Sequence, residues 1–298
     1  MLDIMRSATH YLDKAGVSDA GADAELLVLH FTGIDRMTAY RDNPEVDDAV
    51  QTEITGLLGR RAAGEPVQYI LGSVDFLGLR IEVGKGVLIP RPETELVAQE
   101  GIRLLRNFSG SPSGPGRRAA LRILDLCSGS GCISLALGRE FPDAAVFGTD
   151  ISEAAIRYAV RNAEINGIAN ATFMKGSLYE PAEGMQLFDL IISNPPYIVT
   201  SDLNGLQREI REWEPVAALD GGPDGLDFYR KIFSRARGHL KKSGAVVLEL
   251  GFGQAGEVAE MAEKAGFGKI DIREDMAGIK RVLTAETASG PQSSHLQG

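Results

Sequence analysis

The sequence predicts an α/β protein: a seven-stranded, mostly parallel sheet with helices on both faces, preceded by a small helical domain and joined to it by a β-hairpin. Three observations carry this prediction. From residue 121 onward, short apolar runs of strand length alternate with longer stretches of helical period. Residues 2–63 carry only the helical period, interrupted by turn residues. Between them, Val74–Val83 alternates apolar and polar residues around Gly78, the pattern of a hairpin. A length of 298 residues agrees, at roughly 100–200 residues per domain.

In the helical segment, Ala24-Glu25-Leu26-Leu27-Val28-Leu29-His30-Phe31 sets apolar residues at helical spacing, with Ser18 or Asp19 as the cap. Gly33, Asn43-Pro44 and Gly64 punctuate successive helices. After the hairpin, Pro92 and the acids Glu93 and Glu95 precede Leu96-Val97. Proline has no N–H to leave unpaired and carboxylates favour the positive helix end, so this run suits a first helical turn. Asn107–Arg118 is rich in Gly, Ser and Pro and reads as a mobile surface loop. Strands follow at 121–126, 144–149, 171–175 and 188–193, with helices at 131–140 and 152–166. A helix at 226–241, a strand at 244–250, a helix at 254–265 and strands near 268–273 and 279–284 complete the set. Thr284–Gly298 lacks periodicity and is expected to be a disordered tail. The expected divisions are a helical domain at 1–73, a hairpin linker at 74–90, the α/β domain at 91–284 and the tail at 285–298.

Composition narrows the function classes. With 44% hydrophobic and 24% charged residues, wholesale disorder is excluded. No apolar run reaches the ~18 residues that cross a bilayer, and the first residues lack the layout of a signal peptide, so a cytoplasmic protein without a membrane partner is expected. Two cysteines, Cys127 and Cys132, are too few for a disulfide framework or structural zinc, and no metal site is expected. A net charge of −10 opposes sequence-independent binding to nucleic-acid phosphate. Residues 1–75 carry −7 of it, with 13 acidic and 6 basic residues.

Ligands of open α/β sheets bind at the carboxyl ends of the strands, so the chemistry is sought there. The strand ending Asp125-Leu126 runs into Cys127-Ser128-Gly129-Ser130-Gly131 and then a helix, where small residues allow close backbone approach and a helix N-terminus offers N–H groups. The third glycine of a dinucleotide fingerprint is replaced by Ser134. Asp125 followed by small residues is instead the pattern of S-adenosyl-L-methionine (AdoMet) methyltransferases. Asp150 ends the next strand, 19 residues after Gly131, where a carboxylate accepts from ribose hydroxyls or caps the helix starting near Ser152. Ser177 and Leu178 end the third strand, where a polar group meets an adenine amine and an apolar one its ring, or both pack as an ordinary loop.

The fourth strand leads into Asn194-Pro195-Pro196-Tyr197. Consecutive prolines donate no backbone hydrogen bond and keep the chain extended, leaving carbonyls aimed into the crevice. A planar NH2 group offers two donors, one for the Asn194 side-chain oxygen and one for the Pro195 carbonyl, with Tyr197 stacked on its face. Asn194, Pro195 and Tyr197 are therefore the expected catalytic residues, with Pro196 completing the substrate site. A sulfonium methyl is already activated, so no general base is needed before transfer. The four histidines, His10, His30, His239 and His295, lie outside these loops.

These residues resemble the N5-glutamine methyltransferases of the PrmC/HemK family, which modify the glutamine of the Gly-Gly-Gln motif of peptide-chain release factors. The resemblance spans nearly the whole chain. It includes Gly86-Val87-Leu88-Ile89-Pro90-Arg91-Pro92-Glu93-Thr94-Glu95, Glu214-Pro215, Ala218 through Leu226 (ALDGGPDGL) and Tyr229-Arg230. It implies a Rossmann-like AdoMet-dependent methyltransferase fold and AdoMet contacts at Cys127, Ser128, Gly129, Ser130, Gly131, Asp150, Ser177, Leu178 and Asn194. It also implies glutamine binding by Asn194–Tyr197, a helical domain that docks the release factor, and a monomeric, cytoplasmic enzyme. Cys127-Ser128 and Ser177-Leu178 depart from the family's commoner residues. Two alternatives share the chemistry: a glutamine methyltransferase of ribosomal protein L3, which differs from this chain at Pro90–Glu95, and a DNA adenine-N6 methyltransferase, opposed by the acidic charge. A binding protein without turnover would tolerate damage to Asn194–Tyr197, which is intact.

Overall fold

A computed structural model describes residues 1–109 and 120–287. Along the chain run α1 (Leu2–Lys14), α2 (Ala20–Thr32), α3 (Arg36–Asp42), α4 (Asp48–Ala62), α5 (Val67–Leu71), β1 (Ser73–Phe76), β2 (Leu79–Glu82) and α6 (Pro92–Ser109). Then come β3 (Arg122–Leu126), α7 (Cys132–Glu140), β4 (Ala145–Asp150), α8 (Glu153–Ile165), β5 (Ala171–Lys175) and β6 (Phe188–Ser193). The remainder is α9 (Arg208–Trp213), α10 (Asp227–His239), β7 (Leu240–Glu249), α11 (Ala255–Lys264), β8 (Phe267–Glu274) and β9 (Lys280–Thr287).

The chain divides into two compact units. One comprises Met1–Val74, Val83–Lys85 and Leu206–Glu214; the other comprises Asp75–Glu82, Gly86–Gly205 and Pro215–Gly298. In the helical unit, Leu12, Ala24, Leu27, Val28 and Ile54 form the buried core. Asp35 and Asp47 cap α3 and α4, accepting from Thr38 N at 3.0 Å and Ala49 N at 2.8 Å. Asp19 stands at the N-cap of α2 without a side-chain hydrogen bond. The buried Arg61 donates to Asp23 at 2.6 Å and to the Glu65 carbonyl at 3.2 Å, and pairs with Glu209 of α9. Burial pushes the Asp23 carboxyl up while Arg61 pulls it back. The sequence patterns did not assign residues 206–214 to the helical unit.

The hairpin turns on Leu77 and Gly78, whose φ angles of 50° and 73° are those of a primed turn matching strand twist. The larger sheet has the order β5-β4-β3-β6-β7-β9-β8. Strands β3, β4, β5, β6 and β7 pair parallel, and β9 runs antiparallel to β7 and β8. Ile123-Leu124, Leu190-Ile191-Ile192 and Ala245-Val246-Val247-Leu248 are wholly buried, the continuous apolar character of strands covered on both faces. Tyr179, Tyr229, Ile232, Phe233 and Val258 pack against Leu124, Ile191, Val246 and Leu248.

Three boundaries correct the sequence reading. Strand β9 runs to Thr287, so 284–287 are not tail: Leu283, Thr284 and Ala285 are buried and pair with β7 and β8, leaving no alternation to read. The stretch expected as loop from Asn107 opens with the last turn of α6; its residues 110–118, like 288–298 of the expected tail, lie outside the described residues. Helix α10 ends at His239 and β7 begins at Leu240, which pairs with Phe188 across an irregularity before Ala245.

Strand register positions the site. Leu126 pairs with both Thr149 and Ser193, and Ser193 pairs with Leu248. The next residues, Cys127, Asp150, Asn194 and Glu249, therefore leave one edge of the sheet side by side. Chain order reverses between β3 and β6, which makes this the switch point where a crevice opens.

Candidate active site at the carboxyl edge of the sheet

The loop after β3 is a tight turn stitched to its neighbours. Cys127 sits at φ 58°, and Gly131, the N-cap of α7, at φ 80°. A Cβ on Gly131 would lie 2.8 Å from the Phe173 ring, so only glycine passes there. Ser128 N donates to the Thr149 carbonyl at 3.0 Å and Gly131 N to the Ser128 carbonyl at 2.8 Å. Gly129 N donates to Asp150 Oδ2 at 2.9 Å. These three N–H groups close the loop.

Asp125 turns inward. Its Oδ2 accepts from Ser134 N at 3.2 Å and Ser134 Oγ at 2.7 Å, which anchors the first turn of α7. Burial pushes its carboxyl to about 7 against the pull of the two Ser134 hydrogen bonds. Among the described residues, the buried side-chain polar atoms without a partner are Asp125 Oδ1, near the end of β3, and Ser128 Oγ, in the turn after it. Burial also raises both thiols, Cys132 to about 12, so neither is a reactive thiolate. No group of three or more metal-ligating side chains occurs among the described residues.

Asp150 links the glycine turn to α8. While Oδ2 holds Gly129, Oδ1 accepts from Ser152 N at 2.8 Å; Ser152, not Asp150, is the N-cap, accepting from Ala155 N at 3.3 Å. Each Asp150 oxygen keeps a further lone pair for a hydroxyl donor. Burial pushes this carboxyl up. Beside it Ile151 is 65% exposed, an apolar surface next to a polar acceptor that the sequence patterns did not single out. Past β5, Leu178 at φ 47° packs its side chain against the core and accepts from Thr149 Oγ1 through its carbonyl at 2.8 Å. Ser177 is exposed, and its N–H donates to Glu180 at 3.1 Å.

At the end of β6 the hydroxyl of Ser193 donates to the Leu126 carbonyl at 2.6 Å, tying the two strand ends together. Pro195 and Pro196 are buried, Asn194 and Tyr197 half-buried. Asn194 Nδ2 donates to Thr94 Oγ1 at 3.1 Å, Thr94 Oγ1 donates to Glu249 Oε2 at 2.7 Å, and the Tyr197 hydroxyl donates to Glu249 Oε1 at 3.1 Å. Glu249 is 1% exposed, and burial pushes its carboxyl to about 7 although Thr94 and Tyr197 hold it down. Gln254 Nε2 donates to the Tyr197 carbonyl at 2.9 Å. Among the described residues, nothing donates to Asn194 Oδ1 or to the Pro195 carbonyl.

Thr94, Glu249 and Gln254 escaped the sequence reading. The sequence places Thr94 only in the first turn of a helix, and it lies in the first turn of α6. The one signal for Glu249 was an acid ending an otherwise apolar strand at the ligand-binding edge.

A mostly parallel sheet whose order reverses beside a glycine turn is a Rossmann-like fold, and its similarities to known proteins make the chain one of the methyltransferases. A human methyltransferase 10 domain-containing protein shares the fold with a TM-score of 0.52 at 18% identity, over 71% of this chain and 90% of that one. The PrmC N-terminal domain family matches residues 3–72, and the methyltransferase small domain family matches 107–210. A release factor glutamine methyltransferase of Thermodesulfovibrio yellowstonii is 42% identical over 88% of this chain and 90% of its own length. One from Geobacter sulfurreducens is 45% identical over 92% of each. The chain belongs to the release factor glutamine methyltransferase family.

Proposed function

We propose that the chain transfers the methyl group of AdoMet to the side-chain amide nitrogen (N5) of the glutamine in the Gly-Gly-Gln motif of peptide-chain release factors. The observation that carries this reading is the pair of unengaged acceptors, Asn194 Oδ1 and the Pro195 carbonyl, held on a buried Pro-Pro unit at the switch point. Two unengaged acceptors on consecutive residues match in number the two N–H donors of one primary amide.

The residues present fit the cofactor. A Cβ on Gly129 would meet no atom within 4 Å, so the turn leaves room for a ligand against its backbone. Asp150 retains acceptor capacity for the two ribose hydroxyls, and exposed Ile151 offers an apolar face to adenine. When bound, AdoMet supplies an already activated methyl on sulfur. Cys127–Gly131, Asp150 and Asn194 would hold it, with Ser177 at the rim; Leu178, turned into the core, contributes shape rather than a direct contact.

The chain's own work is to fix the amide nitrogen in line with the methyl group and to exclude water. Asn194 Oδ1 and the Pro195 carbonyl each take one N–H, and the Tyr197 ring covers the amide face. As the nitrogen turns tetrahedral and positive, the same acceptors bind it more tightly, which stabilises the transition state over the ground state. The alkylated nitrogen then loses its extra proton without a dedicated base. The helical unit is proposed to dock the release factor.

Incubation with labelled AdoMet and, in parallel, a release factor, its Gln→Ala variant, ribosomal protein L3 and duplex DNA tests the reading. Label is expected in the wild-type release factor alone. Label in DNA or L3, or equal label in the Gln→Ala factor, overturns it.

A further inference from the structure

Counting protons around Glu249 decides which way Asn194 faces. As a carboxylate Glu249 has no proton to give, so the hydroxyls of Thr94 and Tyr197, 2.7 and 3.1 Å from its two oxygens, both donate to it. Thr94 has one hydroxyl proton, and Glu249 takes it. Towards Asn194, 3.1 Å away, Thr94 can then only accept, so the Asn194 NH2 must face Thr94 and Oδ1 must face the crevice. If a proton sat on Glu249 Oε2, that oxygen would donate to Thr94, and Thr94 would be free to donate to Asn194 Oδ1. The amide could then turn and present NH2 to the incoming NH2, donor against donor.

We propose that Glu249 is the positioning residue that sets the polarity of the acceptor site: through Thr94 it compels Asn194 to present Oδ1, and through Tyr197 it fixes the other end of the same motif. The proposal rests on reading Asn194–Tyr197 as the amide-binding site. It explains why a carboxylate stands where packing alone would favour an apolar residue. Glu249 is 1% exposed at the end of a strand whose preceding residues Ala245, Val246, Val247 and Leu248 are fully buried, where an unpaired charge would be strongly unfavourable. The surroundings hold it in place. The Tyr229 hydroxyl donates to its backbone carbonyl at 3.0 Å, and Gly251 N donates to Gln254 Oε1 at 3.1 Å. Gln254 in turn grips the Tyr197 carbonyl. Tyr197 is thus held at its hydroxyl by Glu249 and at its backbone by the loop that follows Glu249.

The arrangement has a pH signature. The ionisable groups facing Glu249 are Glu93 of α6, Cys132 of α7, Tyr197, Tyr229 of α10 and Arg281 of β9. Burial and Glu93 push its carboxyl up, while Arg281 and the two hydroxyls pull it back. Above its raised pKa of about 7 it is a carboxylate and the polarity is set; below it, the acid form that carries its proton on Oε2 frees Thr94 to donate to Asn194. Turnover therefore falls as pH drops through that value.

The test compares wild type, Thr94→Val, Thr94→Ser and Glu249→Gln by kcat and KM for a release factor across pH 5.5–9, with AdoMet affinity from calorimetry and thermal unfolding alongside. Thr94→Val and Glu249→Gln are expected to lower kcat about 10- to 100-fold while KM and AdoMet affinity move less than about threefold. Thr94→Ser, which keeps the hydroxyl, recovers most of kcat, and Glu249→Gln loses the acid limb of the pH profile. If both disabling variants fold, bind AdoMet and keep wild-type kcat, the proposal is overturned and the amide reading stands. If Thr94→Ser is as defective as Thr94→Val, or if kcat and AdoMet binding fall together, Glu249 serves only the fold and the proposal is equally overturned. Absence of transfer to glutamine by the wild type removes the amide reading and the proposal with it.

Discussion

Asn194 shows how much a single side chain draws from residues distant in sequence. Its Nδ2 is held by Thr94, 100 positions earlier, and Thr94 by Glu249, 155 positions later. The consequence is a fixed acceptor rather than a freely rotating amide. Asn194→Ala removes that acceptor and leaves Asp150 and the glycine turn untouched, so methyl transfer should fall about 10²- to 10³-fold. AdoMet affinity should fall far less than transfer does, because Asn194 is one proposed cofactor contact among several and the ribose acceptor Asp150 lies on a different strand. Single-turnover transfer measured beside calorimetric AdoMet binding checks this; near-normal transfer would remove Asn194 from the mechanism. Asn194 was legible in the sequence because Pro-Pro gives its position a rigid backbone in any context. Thr94 and Glu249 were not, because their roles exist only once β6, β7 and α6 come together.

At the scale of elements, the acceptor motif is clamped by the segment that returns to it. Ile198 N donates to the Leu219 carbonyl at 2.9 Å and Gly221 N to the Ile198 carbonyl at 2.8 Å, while Gln254 spans Tyr197 and the Gly225 carbonyl. Gly225 stands at φ 75°, where a Cβ would approach the Tyr197 carbonyl and Gln254 Nε2 to 2.5 Å each. Gly225→Ala combines a disfavoured backbone with a clash against the clamp, and should destabilise the larger unit by at least about 2 kcal/mol. Denaturant unfolding checks the stability, and a release-factor KM that rises more than AdoMet affinity falls would place the damage at the motif. An unchanged unfolding midpoint would show that the clamp yields at no cost. Elements with strong local pattern, such as β3, β6, α7 and α8, were legible within a residue or two because continuous apolar strands and capped helices declare themselves. The end of β9 was not, because a strand buried on both faces by its partners shows no alternation, and α9 was not, because six residues carry too little period.

For the whole molecule, charge and chain division give a last consequence. Residues 1–75 hold −7 of the total −10, yet many of those acids are engaged within the helical unit: Asp3 with Arg6, Glu25 with Arg36, Asp42 with Arg41, Glu65 with Arg60 and Asp23 with Arg61. Asp13, Glu45 and Glu53 are exposed and make no ion pair among the described residues, so their field reaches solvent. If the unit docks a release factor through basic surface, these three carboxylates, with Asp19 and Asp48, which are likewise exposed and without an ion pair among the described residues, are where attraction acts. Reversing all three to lysine should raise the release-factor KM about tenfold at low ionic strength. The difference should shrink as salt approaches ~1 M, where the screening length falls to about 3 Å. AdoMet affinity and folding should be unaffected, since surface substitutions away from packed or bonded groups usually change stability by no more than about 0.5 kcal/mol. A KM shift that persists at high salt would indicate lost contact rather than lost attraction. No shift at any salt concentration would assign the acidic excess to solubility and place docking elsewhere on the chain.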